Sequence, residues 1–417
     1  MKQQKCFLSL HKPAIIFSSL LLSMFLYSCS GPSGNSTKID IEEIGQQLLI
    51  LEDNVQKDIA KTPLDSRGEE KIVPRTINDD GSLKVVAGHD WTSGFYPGVL
   101  WYMYELTGDP EWKGKAITYT NKLTKEMYNG SNHDVGFRMY CSFGNGLRLI
   151  EDETYVPVLV QSAKTLIARY YETVGSIKSW DFNEADWQFP VIVDNMMNLE
   201  LLFWASEETG DPIYRDIAIQ HALTTKKNHY RSDYSSVHVV DYDTITGAVR
   251  QKNTHQGYAD ESSWARGQAW GLYGFTMTYR CTKDKQFLEQ AEKIAGFLLN
   301  HPRLPEDLVP YWDFDAPGIP NEERDVSAAA IIASALYELS TYTENGGELK
   351  EKADQILESL GSVYASPAGE NYGFILAHSV GNKHGNSEVD VPLNYADYYF
   401  LEALVRQERL ANNKPVV

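Results

Sequence analysis

The chain has 417 residues, 42 % of them hydrophobic and 23 % charged, with a formal net charge of −19. A charge this negative excludes nucleic acid and anionic membrane surfaces as natural partners, and it repels anionic ligands at long range. Four cysteines without Cys/His ligand spacing give no metal motif, so neither metal nor cofactor is expected.

The first element in chain order is a leader. Lys2, Lys5 and Lys12 form a basic start, and Ala14 to Tyr27 is an apolar run too short and wrongly flanked to span a bilayer. The run ends in Leu26-Tyr27-Ser28-Cys29, a bacterial lipobox pattern. Residues 1–28 are therefore expected to be a lipoprotein signal peptide, with Cys29 lipidated as the first mature residue. That places the protein in the bacterial cell envelope, on the periplasmic side or the outer surface, touching the membrane only through its anchor. Ser30 to Lys38 (SGPSGNSTK) reads as flexible, so residues 29–40 are taken as a tether and 41–417 as one domain. Losing the leader removes three lysines and no acid, which makes the mature chain more acidic still. Its remaining cysteines, Cys141 and Cys281, sit in apolar helical contexts that favour free thiols over a disulfide.

Helical periodicity dominates the rest, and no segment shows strand alternation over much length. Helices are predicted at 41–61, 93–107, 110–128, 136–149, 153–173, 191–208, 211–229, 264–281, 285–301, 326–342, 347–364 and 392–409. A turn recurs between them. Gly108-Asp109-Pro110 and Gly210-Asp211-Pro212 are its clearest copies, with weaker ones at Glu151-Asp152-Glu153, Thr282-Lys283-Asp284 and Asn345-Gly346-Gly347. In such a turn Gly closes one helix in a left-handed cap, while Asp-Pro opens the next as N-cap and first residue. Twelve helices in hairpins that close on themselves make an all-α (α/α)6 barrel, and an open solenoid of the same hairpins is the alternative. Uneven spacing and long polar insertions favour the closed toroid.

Between Thr254 and Gly274 the chain reads THQGYADESSWARGQAWGLYG. Aromatic faces beside planar hydrogen-bonding groups suit a ring-shaped polar ligand, and an arginine fork among them suits a carboxylate. Similar segments precede other helices, around Asp90-Trp91, His133-Asp134, Asp194 and Tyr311-Trp312. Asp194 stands in the apolar run VIVDNMMNLELLFW, where a carboxylate is costly unless paired, capping or functional. It is read as an acid with a raised pKa or as the N-cap of helix 191–208. Asp134 and Asp90 have the same two readings, with the cap favoured for Asp90. Trp91, Trp264 and Trp270 are read as stacking platforms. His133 and His238 are either structural or ligand contacts. Two carboxylates in a sugar-sized cavity suggest glycoside hydrolysis.

Taken together these segments resemble the unsaturated glucuronyl hydrolases, glycoside hydrolase family 88. The resemblance rests on DWTSGFYPGVLW (90–101), HDVGF (133–137), VDNMMNLELLFWASEETGDP (193–212), VHVVDYD (237–243), THQGYADESSWARGQAWGLYGF (254–275), YWDFDAP (311–317), RDVSAAAI (324–331) and NYADYYFLEAL (394–404). It implies an (α/α)6 barrel that removes a non-reducing-end 4-deoxy-hex-4-enuronic acid from oligosaccharides left by polysaccharide lyases, here expected to come from glycosaminoglycans. It implies hydration of the C4=C5 enol ether, with one carboxylate as acid and then base. Carried over by position, Asp194 is that acid/base and Asp134 its partner. Trp91, His133, His238, Gln256, Arg266 and Trp270 are the substrate contacts. Loops 181–188 and 376–390 match poorly and are expected to shape the second-sugar subsite, where Lys383 and His384 read as solvated loop residues rather than sulfate ligands. An unsaturated rhamnogalacturonyl hydrolase acting on pectin fragments and a non-enzymatic glycan-binding surface lipoprotein are the alternatives.

Overall fold

Helices paired in sequence form the frame. The computed structural model describes residues 39–417, so the leader, the lipidation site Cys29 and most of the tether lie outside the described residues. Helix α1 (Ile41–Lys61) starts at an Asp40 cap whose carboxylate accepts from the Glu42 and Glu43 amides. The hairpins that follow are α2 (Phe95–Thr107) with α3 (Pro110–Lys122), and α4 (Val135–Met139) continued by α5 (Asn145–Ile150) with α6 (Tyr155–Ile167). Next come α7 (Leu199–Thr209) with α8 (Pro212–Asn228), α9 (Ala265–Thr282) with α10 (Lys285–Leu299), and α11 (Val326–Leu339) with α12 (Gly346–Ser362). Helix α13 (Asn394–Ala411) completes the set.

The predicted turns close these hairpins as their chemistry requires. Gly108 and Gly210 take φ of 69° and 72°, and Asp109 and Asp211 cap the amides of Glu111 and Ile213. Lys283 does the same job with φ 56° ahead of the Asp284 cap.

The inner ring runs α2, α4–α5, α7, α9, α11, α13, and α13 packs on both α11 and α2, which closes it. Burial separates inner from outer helices. Every residue of α11 is buried, whereas α10 buries only Phe287, Gln290, Ala291, Ile294, Ala295 and Leu298, a single stripe at helical spacing. The chain is thus an (α/α)6 barrel.

Two expectations need correction. Short antiparallel strands are present: β1 (Lys71–Ile77) with β2 (Leu83–Ala87), β3 (Tyr170–Tyr171) with β4 (Ser176–Ile177), the sheet β5 (Pro190–Ile192), β6 (Val239–Tyr242), β7 (Val249–Asn253), and β8 (Ser379–Asn382) with β9 (Ser387–Val391). All lie in connections that lead into inner helices, so they gather at one mouth of the barrel. The predicted helix 191–208 is three pieces. Strand β5 comes first, a 3-10 turn spans Val193–Asn198, and helix begins only at Leu199. Likewise helix 153–173 stops at Ile167, and the rod 135–150 is broken by a π-turn at Tyr140–Gly144. Cys141 and Cys281 are free thiols.

Candidate active site

Strand pairing brings the first two groups together. Ile192 of β5 pairs with Val239 of β6, and the Val193 amide donates to the His238 carbonyl at 3.2 Å. That register sets Asp194, two residues beyond the strand, beside His238, with His238 Nε2 3.7 Å from Asp194 Oδ2. The His238 Nδ1 accepts from the amides of His255 (3.0 Å) and Gln256 (3.2 Å). Two backbone donors on Nδ1 leave the ring proton to Nε2, which points it at the carboxylate. Burial, then the charges of His255 and Arg266, push the His238 pKa well below its ordinary value, so the ring is a neutral donor.

Asp194 is 8 % exposed and lines a cavity of about 510 Å³ at the strand-bearing mouth. Its Oδ2 has no hydrogen-bond partner, and its side chain caps no helix. Burial raises its pKa to about 7; Asp134 adds to the rise, while Arg266 and a hydrogen bond from Trp270 oppose it.

Asp134 also lines the cavity. It occupies the N-cap position of α4 but makes no side-chain cap bond. Burial raises it to about 7 against the pull of Arg138. His133 Nε2 sits 3.3 Å from Asp134 Oδ1, and burial drops that ring to about 3, so His133 is neutral too. Two adjacent carboxyls that each hold a proton near pH 7 titrate as a pair.

Asp90, favoured as a helix cap, is not one: the N-cap of α2 is Gly94, and Asp90 sits in the turn before it. It accepts from the Thr92 amide and hydroxyl and pairs with Arg75 at 2.8 Å. These partners outweigh burial and hold it below the usual carboxylate range.

Arg266 is more tightly held than the sequence reading expects. It reaches the cavity wall with its guanidinium partly engaged. Nη1 donates to Asp325 Oδ2 at 2.8 Å and to the Val380 carbonyl, and Nη2 donates to the Gly381 carbonyl at 2.5 Å. The rings of Trp264 and Tyr395 cover it at 4.7 and 5.4 Å. Arg266 presents its charge to the cavity while its Nη1 and one Nη2 N–H hold the wall. Gln256 also lines the cavity and donates to the same Gly381 carbonyl at 3.0 Å.

Of the three tryptophans read as platforms, Trp91 alone lines the cavity. Trp264 and Trp270 are core residues, 3 % and 1 % exposed. Trp270 packs against Phe137 and Tyr399 and acts on the site through its indole N–H. His238 likewise stands behind Asp194 rather than on the wall.

The poorly matching loops do shape the cavity. Asp181 and Phe182 come from one, and Gly381, Asn382, Ser387 and Glu388 from the other. Lys383 is tied to Glu322 and Glu323, as a surface loop residue would be. Sequence reasoning missed Arg67, Arg75, Trp180 and His255 on the wall. The aromatic pair Trp180-Asp181-Phe182 was a visible signal; Arg75, inside an ordinary strand pattern, gave none. A second cavity of about 340 Å³ lies toward the other ends of the inner helices. There Glu402 is satisfied by Tyr102, Tyr273 and Ser334, and Arg406 by Tyr273 and the Ser334 carbonyl, a closed structural network.

The profile of Glycosyl Hydrolase Family 88 matches residues 69–399. An unsaturated glucuronyl hydrolase of Formosa agariphila is 49 % identical over 378 residues, 89 % of this chain and 92 % of that protein. An unsaturated chondroitin disaccharide hydrolase of Streptococcus agalactiae is 35 % identical over 89 % of this chain and 92 % of its own length. The crystal structure of an unsaturated glucuronyl hydrolase specific for heparin superposes with a TM-score of 0.83 at 47 % identity, covering 90 % of this chain and 98 % of that one.

Proposed function

The chain belongs to glycosyl hydrolase family 88, and from that membership we propose how its cavity performs the work of an unsaturated glucuronyl hydrolase. The enzyme is a glycoside hydrolase whose substrates are unsaturated uronyl oligosaccharides. The reading of the chain as a glycan-binding protein without catalysis is set aside.

In the proposed reaction, Asp194 enters protonated and delivers its proton to C4 of the C4=C5 double bond. Positive charge develops at C5 and is shared with the ring oxygen. The Asp194 carboxylate then takes a proton from water, which adds at C5. Taking that proton returns Asp194 to its protonated state. The hemiketal opens as the C5 hydroxyl proton passes to the ring oxygen, and the C1 hemiacetal left behind collapses to an aldehyde, its hydroxyl proton leaving on the aglycone oxygen. A group used first as acid and then as base works best with a pKa near the operating pH, and burial supplies that value here. The neutral His238 Nε2–H steadies the carboxylate form when the proton has left. Asp134, which burial raises to about 7, donates a hydrogen bond to the sugar ring in its protonated form. The observation that carries this reading is Asp194 itself, buried, titrating near 7, with an unpartnered Oδ2 on the cavity wall.

Glycosaminoglycan fragments are the proposed substrates, since relatives across this fold act on heparin and chondroitin products. The test is the near-ultraviolet absorbance of the unsaturated uronyl group, followed on heparin- and chondroitin-lyase disaccharides. Loss of absorbance that Asp194→Asn abolishes supports the mechanism; turnover retained in that variant refutes it. We also propose lipid anchoring at Cys29 in the cell envelope, supported by the lipobox, and checked by radiolabelled palmitate incorporation that Cys29→Ala should remove.

A further inference from the structure

Asp325 is fully buried at the start of α11 and is the most connected carboxylate near the site. Its Oδ1 accepts from the Ser327 amide (3.1 Å), the Ser327 hydroxyl (2.5 Å) and the Ala328 amide (3.4 Å), which makes it the helix cap. Its Oδ2 takes Arg266 Nη1 at 2.8 Å. Through Arg266 the connection runs on to the carbonyls of Val380 and Gly381 on β8, and Gly381 also accepts from Gln256. One carboxylate thereby ties α9, α11 and the β8–β9 wall together.

Against Asp194 stand Arg266 and Trp270 from α9, Asp134 (itself beside His133) from the turn before α4, and His238 from the residue before β6, while Arg67, Arg75, Asp181, His255 and Glu388 line the same cavity. His133 and His238 are neutral, and Asp134 holds its proton to about pH 7. Arg266 is the cation that holds the Asp194 carboxyl down, and Asp325 is its counter-charge. Removing one member of a buried pair leaves the other uncompensated.

We propose that Asp325 is the positioning residue of this site, holding Arg266 against the β8–β9 wall and setting how much positive charge Asp194 experiences. The proposal rests on the reading of Asp194 as the acid/base. A cap alone would be served equally by Asn, which matches Asp at N-cap positions. Asp325→Asn therefore keeps the cap through its Oδ1, removes the charge, and sets an NH2 group against Arg266 Nη1 in place of the Oδ2 acceptor.

The experiment is the pH dependence of kcat/KM, which reports groups of the free enzyme. Wild type is expected to lose activity as pH rises through about 7, where Asp194 gives up its proton. In Asp325→Asn the uncompensated Arg266 favours the Asp194 carboxylate, so this limb should move to lower pH, by on the order of half a unit. The double variant Arg266→Met/Asp325→Leu removes the pair as a unit and should move the limb to higher pH. It carries the test alone if Asp325→Asn does not fold. A limb that neither variant moves, or that moves opposite to these directions, overturns the proposal and leaves the Asp194 mechanism standing. A wild-type profile without the limb overturns that mechanism and this proposal with it.

Discussion

At the scale of single residues, Asp194 illustrates a site that costs the fold stability. Its folded pKa, about 7, lies above the ordinary 3.8. The folded state therefore binds more protons than the unfolded chain between roughly pH 4 and 7, and stability falls as pH rises through that window. Three units correspond to roughly 4 kcal/mol, an upper figure because Asp134 shares the same proton balance. Asp194→Asn should thus be inactive and yet melt higher than wild type at pH 8, with the advantage vanishing near pH 4. A thermal melt series across that range checks it, and an equal or lower melting temperature at pH 8 contradicts the burial argument. Asp194 was legible in the sequence because an acid in an apolar run stands out against its neighbours. The state of Arg266 was not, since its counter-charge Asp325 lies 59 positions away and only the packed structure joins them.

At the scale of elements, the piece that aims Asp194 is the 3-10 turn Val193–Asn198, wedged against α9. Gly274 makes that approach possible. A Cβ placed there would stand 2.4 Å from the Met196 Cβ, with the Met196 backbone at 3.3 Å. Helix propensity favours Ala over Gly by about 1 kcal/mol, but neither contact atom can rotate away, so overpacking of about 1–3 kcal/mol wins. Gly274→Ala should lower stability and, by displacing the turn, cut kcat at least about tenfold; unchanged kcat would mean that the turn is not what places the acid. The same element shows where pattern reading stops. Val191, Ile192 and Val193 are apolar whether they continue a buried helix or pair with β6, and periodicity does not separate the two. The long helices, by contrast, were legible within a few residues because stripe, cap and Gly-Asp-Pro turn agreed. The short strands were not, because a three-residue strand such as β5 has no alternation to read.

At the scale of the whole molecule, an acidic protein is paired with an anionic substrate. The net charge of −19 sets up a field that repels such a substrate before contact. The cavity does little to reverse it from a distance. Arg75 is paired with Asp90 and Glu388, and Arg266 with Asp325, so each presents a dipole rather than a free charge. Arg67, on the wall and exposed, makes no ion pair among the described residues. The long-range repulsion and the short-range contacts therefore respond differently to salt. Screening shortens from about 30 Å at 0.01 M to about 8 Å at 0.15 M, which removes the approach barrier while the buried pairs keep their strength. Raising sodium chloride across that range should increase kcat/KM, and more so for a multiply sulfated disaccharide than for an unsulfated one. The comparison is a steady-state assay of both substrates at fixed pH. A fall in kcat/KM with salt would mean that the cavity cations, Arg67 first among them, govern the encounter, and that the acidic surface is arranged to leave the mouth positive.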